Sequence, residues 1–77
     1  MQISKNTLLS IDNSDIKNGI LKLPKKVKII SDKVIFNNKE IIKVIGLGVT
    51  TIGNDNFIYC NAMTSIELPL VTTIGNY

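Results

Sequence analysis

The sequence predicts a small, mainly β solenoid with short helical turns and a short parallel sheet. Residues 49–54, Val-Thr-Thr-Ile-Gly-Asn, recur unchanged as residues 71–76, which defines a 22-residue period. A further shift by the same period places Val27 under Val49 and Ile30 under Ile52. A sequence period of roughly 20 to 50 residues is typical of stacked repeats, in which each unit buries its apolar side against its neighbours.

The period divides the chain into units of unequal regularity. Residues 1–26 are predicted to form a divergent N-terminal cap or first repeat, because solenoid ends need an element that covers the first apolar layer. One residue more separates Pro24 from Val27 than separates Pro69 from Val71, so the register differs in this unit. The remaining residues, 27–77, are predicted to form repeats over 27–48 and 49–70 and a partial repeat over 71–77.

The stability of this chain must come mainly from apolar burial between coils. The 77 residues include one cysteine, Cys60, and no histidine. A disulfide within the chain is therefore impossible, and we expect no metal site and no cofactor. The small core of so short a domain gives only modest stability unless the coils pack closely.

Positive charge is concentrated in the first half of the sequence. All nine lysines lie between Lys5 and Lys43, and four acids share that stretch, which leaves about +5; only Asp55 and Glu67 follow. The chain has no arginine for bidentate phosphate contacts. Lysine-driven nucleic-acid binding is therefore kept only as a lesser alternative.

The N-terminal residues are polar and the apolar runs are short, so no signal peptide or membrane segment is predicted. The expected compartment is the cytoplasm. If the chain is a fragment of a longer precursor, the alternative is a secreted or cell-surface location.

The apolar spacing predicts the path of each coil. Residues 63–68 follow the pattern L-x-x-L-x-L of a repeat strand, in which Ile66 points inward and Ser65 and Glu67 point outward. Pro69 ends the strand, and Val71 begins the return path on the opposite side of the coil.

A turn-forming run follows Gly53 and is expected to form one helical turn. Phe57 is expected to fill the core between coils there, with Phe36 or Ile35 in the same place one coil earlier.

Residues 49–70 resemble the BspA-like leucine-rich repeat, whose units read V-T-S-I-G-x-x-A-F-x-x-C-x-x-L-T-S-I-x-L-P. The resemblance is strong over 49–77 and loose over 27–48. The matching residues are Val49, Thr50, Ile52, Gly53, Phe57, Cys60, Thr64, Ser65, Ile66, Leu68 and Pro69. The resemblance implies a leucine-rich-repeat solenoid that acts as a non-catalytic interaction module, often in microbial surface or adhesion proteins. It also implies that Cys60 is buried at the turn before the strand.

Two departures from the family pattern carry structural expectations. Asn56 replaces the usual alanine, which predicts a more polar turn. Gly46 and Leu47 stand where Leu68 and Pro69 stand one coil later, which predicts an irregular strand over 41–46.

The sequence does not predict an enzyme. A Ser-His-Asp triad is impossible without histidine, and Gly46-Leu47-Gly48 is a lone G-x-G without the rest of a nucleotide-binding pattern. Asp12 and Asp15 are best explained by a local Asn-Ser-Asp turn.

The expected binding surface is the outward face of the stacked strands. Stepping back one coil at a time predicts two rows of neighbouring side chains across the sheet. The first row is Ile20, Lys43 and Ser65, and the second is Lys22, Ile45 and Glu67. Exposed isoleucines on such a face would favour contact with a protein partner.

The second expected binding surface is the C-terminal end of the stack. The chain stops at Tyr77, two residues before the position equivalent to Phe57, so the partial repeat is predicted to leave this coil open. Self-association through the open coil is therefore a further expectation.

Two functional interpretations lead. One is a repeat module that binds a protein partner; the alternative is a freestanding small inhibitor of a larger enzyme or ribonucleoprotein.

Overall fold

The computed structural model describes residues 1–76; Tyr77, the last residue of the predicted partial repeat, lies outside the described residues. Nine short strands and one 3-10 turn over Asn13–Asp15 make up the described regular structure. The strands are β1 (Gln2–Ser4), β2 (Thr7–Ser10), β3 (Ile16–Lys17), β4 (Ile20–Lys22), β5 (Ile29–Ile30), β6 (Lys43–Ile45), β7 (Thr51–Ile52), β8 (Ser65–Glu67) and β9 (Thr73–Ile74).

The strands form two parallel stacks on opposite sides of a β-solenoid of about three turns, so the predicted fold class is confirmed. One sheet has the order β1-β2-β5-β7-β9 and the other the order β3-β4-β6-β8. The first four strands form one hairpin in each sheet, and from β5 onward successive strands join the two sheets alternately. The second sheet was not predicted: residues 51–52 and 73–74 on the return path pair as strands rather than as turns.

The repeat register extends further back than the sequence comparison reaches. Thr72 N–H donates to Thr50 O at 3.0 Å, and Thr50 N–H donates to Lys28 O at 2.8 Å. Lys28 N–H in turn donates to Asn6 O at 2.8 Å. The first coil therefore already follows the period in the five-stranded sheet, where Leu8 pairs with Ile30.

The one-residue difference in register is accommodated in the four-stranded sheet. There Leu21 pairs with Val44 and Val44 pairs with Ile66, and the first of these intervals is one residue longer than the second. The chain from β2 to β4 is thus one residue shorter than the equivalent chain from β5 to β6. The chain from β4 to β5 is one residue longer than the equivalent chain from β6 to β7. The extra lysine between Pro24 and Val27 supplies that additional residue.

Antiparallel strands end both sheets at the N-terminal side. Strand β1 pairs antiparallel with β2, and β3 pairs antiparallel with β4. These hairpins cover strand edges that would otherwise present free peptide groups. Two hairpins within the first coil thus occupy the place of the predicted cap.

The 3-10 turn between the hairpins confirms the local interpretation of the two N-terminal aspartates. Asp12 caps the turn, and the Asp15 carboxylate accepts from the Asp12 N–H at 2.8 Å. The amino group of Met1 also donates to Asp15, at 3.0 Å. The bond from this amino group, followed by the bond from the Asp12 N–H, lowers the pKa of the Asp15 carboxyl from its ordinary value.

Strand β6 is regular, so the predicted irregularity over 41–46 is wrong. Lys43, Val44 and Ile45 pair in order with strands on both sides. Gly46 then donates its N–H to Glu67 O at 2.9 Å. A Cβ on Gly46 would lie 2.7 Å from Leu68 Cδ2, so the missing side chain makes room for the leucine of the next coil.

The core is a set of aliphatic side chains stacked between the two sheets. Ile30 and Val44 show how each coil places one inward residue from each sheet at the centre, since side chains in strands alternate faces. The fully or almost fully buried members are Leu8, Leu21, Leu23, Val27, Ile30, Ile35, Ile41, Val44, Val49 and Ile52. None of these residues belongs to the last coil, which comprises residues 55–76.

The helical turn predicted after Gly53 is wrong. Asp55, Phe57 and Tyr59 all have positive φ values, near 59°, 69° and 58°, and a right-handed helix cannot contain them. The segment instead forms successive tight turns. Lys33 and Asn37 adopt the same left-handed conformation one coil before Asp55 and Tyr59, so these turns recur in the preceding coil.

A single buried amide holds these turns against the preceding coil. Asn56 is 4% exposed and is the only buried polar residue in the part of the chain that the structure describes. Its Oδ1 accepts from the N–H groups of Val34 and Ile35 at 3.0 and 2.9 Å. Its Nδ2 donates to Ser31 O at 2.9 Å and Gly53 O at 3.2 Å. The polar turn predicted at Asn56 is confirmed, and its role is to satisfy buried backbone groups.

We predict that Asn56→Ala lowers the free energy of unfolding by about 2–4 kcal/mol, because buried N–H and C=O groups lose their partners. The matched control is Asn61→Ala, at an exposed asparagine with no side-chain bond within residues 1–76, which should change stability by less than about 0.5 kcal/mol. Urea unfolding monitored by circular dichroism measures both. Equal stability of the two variants would show that the Asn56 amide bonds contribute nothing.

Candidate partner-binding surfaces

The outward side of the four-stranded sheet, called here the rung face, consists of the six residues predicted from the sequence. Strand pairing places Ile20 beside Lys43 and Lys43 beside Ser65. The second row is Lys22, Ile45 and Glu67, in the same order. The predicted register of both rows is therefore observed.

The rung face is mixed in charge and only partly apolar. Ile20 is exposed, at 37%, whereas Ile45 is half-buried between its neighbours Lys22 and Glu67. The expectation of two exposed isoleucines is thus met at one position only. Lys43 Nζ lies 3.8 Å from Glu67 Oε1, and this exposed pair adds little stability because water screens it. The face can offer a partner two lysines, one carboxylate and one exposed isoleucine.

The second surface, called here the open end, is the apolar side of the last coil. Its floor and walls include Phe57, Ile66, Leu68, Val71 and Ile74, which surround a cavity of about 610 Å³. Ile66 was predicted to point inward and it does line this cavity, yet it is 49% exposed. Ile74 is 59% exposed, although Ile52 in the coil before it is 3% exposed. No further coil covers these side chains among residues 1–76.

The predicted core-filling positions differ between coils. Of the two residues predicted to fill the core one coil before Phe57, Ile35 is buried and Phe36 is not. Phe57 packs against the core but stays half-buried because it borders the open end. Phe36 instead meets the ring of Tyr59 edge to face, with centroids 6.0 Å apart.

Cys60 lies at the turn before β8 and is half-buried rather than buried. Its Sγ is 3.8 Å from Ile35 O and 3.7 Å from Ile58 O, which are weak contacts with backbone carbonyls. The burial implied by the family resemblance is incomplete because Cys60 belongs to the uncovered last coil.

A basic edge runs beside the rung face. Lys25, Lys26 and Lys28 follow β4, and no acid occurs between Asp15 and Asp32. A Cβ on Gly48 would contact Lys25 O and approach Lys28 Nζ, so this glycine allows the next coil to lie close against the lysine-rich segment. The edge is the feature on which the lesser alternative, nucleic-acid binding, depends.

The described residues contain no cluster of three side chains suited to a metal ion. No helix within the same residues is long and apolar enough to cross a membrane.

Comparison of the chain with models of protein families, with curated proteins and with solved structures finds no match. The two surfaces are therefore interpreted from their own geometry.

Sequence reasoning found the rung face because outward positions follow directly from the repeat offset. It located the open end but could not show how much apolar surface this end exposes. It also missed the importance of Asn56, whose four backbone partners come from 21 to 25 residues earlier and from its own turn. The replacement of alanine by asparagine was the only signal.

Exposure of the last coil should be measurable by one pair of substitutions. We predict that Ile52→Ala lowers the free energy of unfolding by about 2–4 kcal/mol, since it leaves a cavity in the core. Ile74→Ala, at the equivalent position one coil later, should cost less than about 1 kcal/mol in dilute solution because little contact is lost. Denaturant unfolding of both variants tests this. Equal losses would mean that the last coil is as well packed as the one before it.

Proposed function

We propose that this chain is a non-catalytic protein-interaction module of the BspA-like leucine-rich-repeat type, and that it binds its partner through the rung face. The observation that carries the proposal is the regular register of the two rows across β4, β6 and β8. These rows hold side chains at the regular spacing of a hydrogen-bonded sheet, which favours a smaller loss of entropy on binding.

The composition of the rung face favours a protein partner with acidic and apolar groups. Lys22 and Lys43 attract carboxylates, and Ile20, beside Lys43, supplies exposed apolar area. Charged groups of this kind steer association and set specificity more than they add affinity. A nucleic acid is favoured less, because phosphate recognition would draw on lysines alone and the face also carries Glu67.

The alternative function is a small inhibitor of a larger enzyme or ribonucleoprotein. The same two surfaces would serve it, since a molecule about 25 Å across can cover the mouth of an active site. The alternative differs from an interaction module in what binding does to the partner, and an activity assay on the captured partner distinguishes the two.

The double variant Lys22→Glu/Lys43→Glu should weaken partner binding at least tenfold, with thermal unfolding changed little. The partner is first captured with the immobilised chain from an extract of the source cells, and the affinities are then compared by surface plasmon resonance. The matched control is Lys5→Glu/Lys26→Glu, which makes the same change in net charge at exposed positions outside the rung face. Equal loss in both variants would indicate a general charge effect, and unchanged affinity in the first would remove the rung face as the site.

A further inference from the structure

We infer that a shallow cleft beside the rung face binds an aliphatic side chain that is flanked by carboxylates in a segment of the partner protein. This binding rests on the proposed function in one respect, since it takes the ligand to be a protein. The cleft, called here the turn cleft, has a volume of about 430 Å³. It is lined by Lys22, Leu23, Pro24, Lys25 and Leu47.

The turn cleft lies between the turns that follow β4 and β6. Val27 N–H donates to Pro24 O at 3.0 Å, and one coil later Val49 N–H donates to Gly46 O at 3.3 Å, so each bond closes a four-residue turn. Four residues lie between β4 and Val27, but only three lie between β6 and Val49. The two turns therefore follow their strands at different distances along the chain, and the cleft occupies the place where they differ.

Two glycines allow the turns to pack closely at the base of the turn cleft. A Cβ on Gly48 would collide with Lys25 O, and a Cβ on Gly46 would lie 3.3 Å from Leu23 Cδ1. Leu23 is almost fully buried and Leu47 is half-buried. The floor of the cleft is therefore formed by side chains that core packing holds in place, which reduces the entropy lost when a ligand binds.

The rim of the turn cleft is basic. Lys22 and Lys25 line the cleft, and Lys26 and Lys28 follow them in the chain. All four side chains are exposed, and none of them forms an ion pair within residues 1–76. Their charge is thus left for the carboxylates of a ligand, which it would attract and orient.

The apolar floor favours an acidic peptide over a nucleic acid. Single-stranded nucleic acid gains much of its affinity by stacking bases on aromatic side chains, and none of the described residues that line the turn cleft is aromatic. Phosphate recognition also favours arginine, which the chain lacks. An aliphatic side chain, by contrast, would bury its surface against Leu23 and Leu47. Carboxylates beside it in the peptide would then meet Lys22 and Lys25.

Lys22 connects the turn cleft with the rung face. It belongs to the second row of the rung face, where it pairs with Ile45, and it also lines the cleft. A partner bound to the rung face could therefore place an adjoining segment in the turn cleft, so that the two contacts form one continuous interface.

NMR titration of the unmodified chain with defined peptides tests this binding. The probe is the acetylated and amidated peptide Gly-Asp-Asp-Leu-Asp-Asp-Gly. One matched control has serine in place of the leucine, and the other has asparagine in place of every aspartate. We expect the probe to shift the amide signals of Leu23, Lys25 and Leu47. Each control should bind at least about tenfold more weakly, because the first loses the burial of a leucine and the second loses the charge attraction.

Variants of the chain test the two parts of the turn cleft separately. Lys25→Glu, at an exposed position, should weaken binding of the probe about tenfold, because it places a like charge beside the aspartates. Leu47→Ser should weaken the probe at least about tenfold, because it removes part of the apolar floor. The matched control is Lys33→Glu, which makes the same change in net charge at an exposed position outside the cleft and should bind the probe as the unmodified chain does.

A decamer of deoxythymidine, titrated at the same ionic strength, separates the two classes of ligand. Stronger binding of this decamer than of the probe would overturn the inference, and so would probe-induced shifts that include the lysines but not Leu23 or Leu47. Equal loss of probe binding in Lys25→Glu and Lys33→Glu would overturn it as well. The probe contains no part of the natural partner, so failure of the probe to bind and failure of the rung face to bind the partner are separate results.

Discussion

Each coil is bonded to the coil before it by backbone hydrogen bonds at a nearly constant offset, and the rest of the structure depends on that register. In the five-stranded sheet these bonds lead from Thr72 to Thr50, from Thr50 to Lys28 and from Lys28 to Asn6. A slip of one residue would turn inward side chains such as Ile30 to the outside, because the faces of a strand alternate. The register therefore fixes the core and the rung face together.

The corners of the coils impose a second constraint. The connection from β7 to β8, residues 53–64, leaves peptide groups inside the molecule, and each must find a partner. Asn56 provides four bonds at the corner where the chain takes three left-handed residues. Two further bonds join successive coils just after the strands of the five-stranded sheet. Asp32 Oδ1 accepts from Asn54 N–H at 2.6 Å, and Asn54 Oδ1 accepts from Asn76 N–H at 2.8 Å. At the corners, side-chain oxygens thus bond successive coils at the same 22-residue offset as the strands.

The sequence predicts the coil stacking and the two rows of the rung face well, because both follow from a period and from strand alternation. It predicts the corner poorly. Asn54 and Asp55 favour helix starts as well as turns, and only the buried partners of Asn56 decide between them. The regularity of β6 was also beyond a pattern comparison, since Gly46 differs from Leu68 as a residue type and yet complements it in space.

The two candidate surfaces differ in physical character. The rung face is mixed in charge and is formed by three neighbouring strands, which supports its proposed role in binding a partner. The open end is apolar and belongs to one coil, where Ile74 is 59% exposed.

Amide hydrogen exchange of the last strand tests the register most directly. In dilute solution we expect slow exchange at Thr73 and Gly75, whose N–H groups donate to Thr50 O and Ile52 O, and fast exchange at Ile74 between them. NMR resolves these three amides individually. Fast exchange at all three, with Gly53 still protected, would show that the last repeat does not stack on the coil before it and would contradict the register described above.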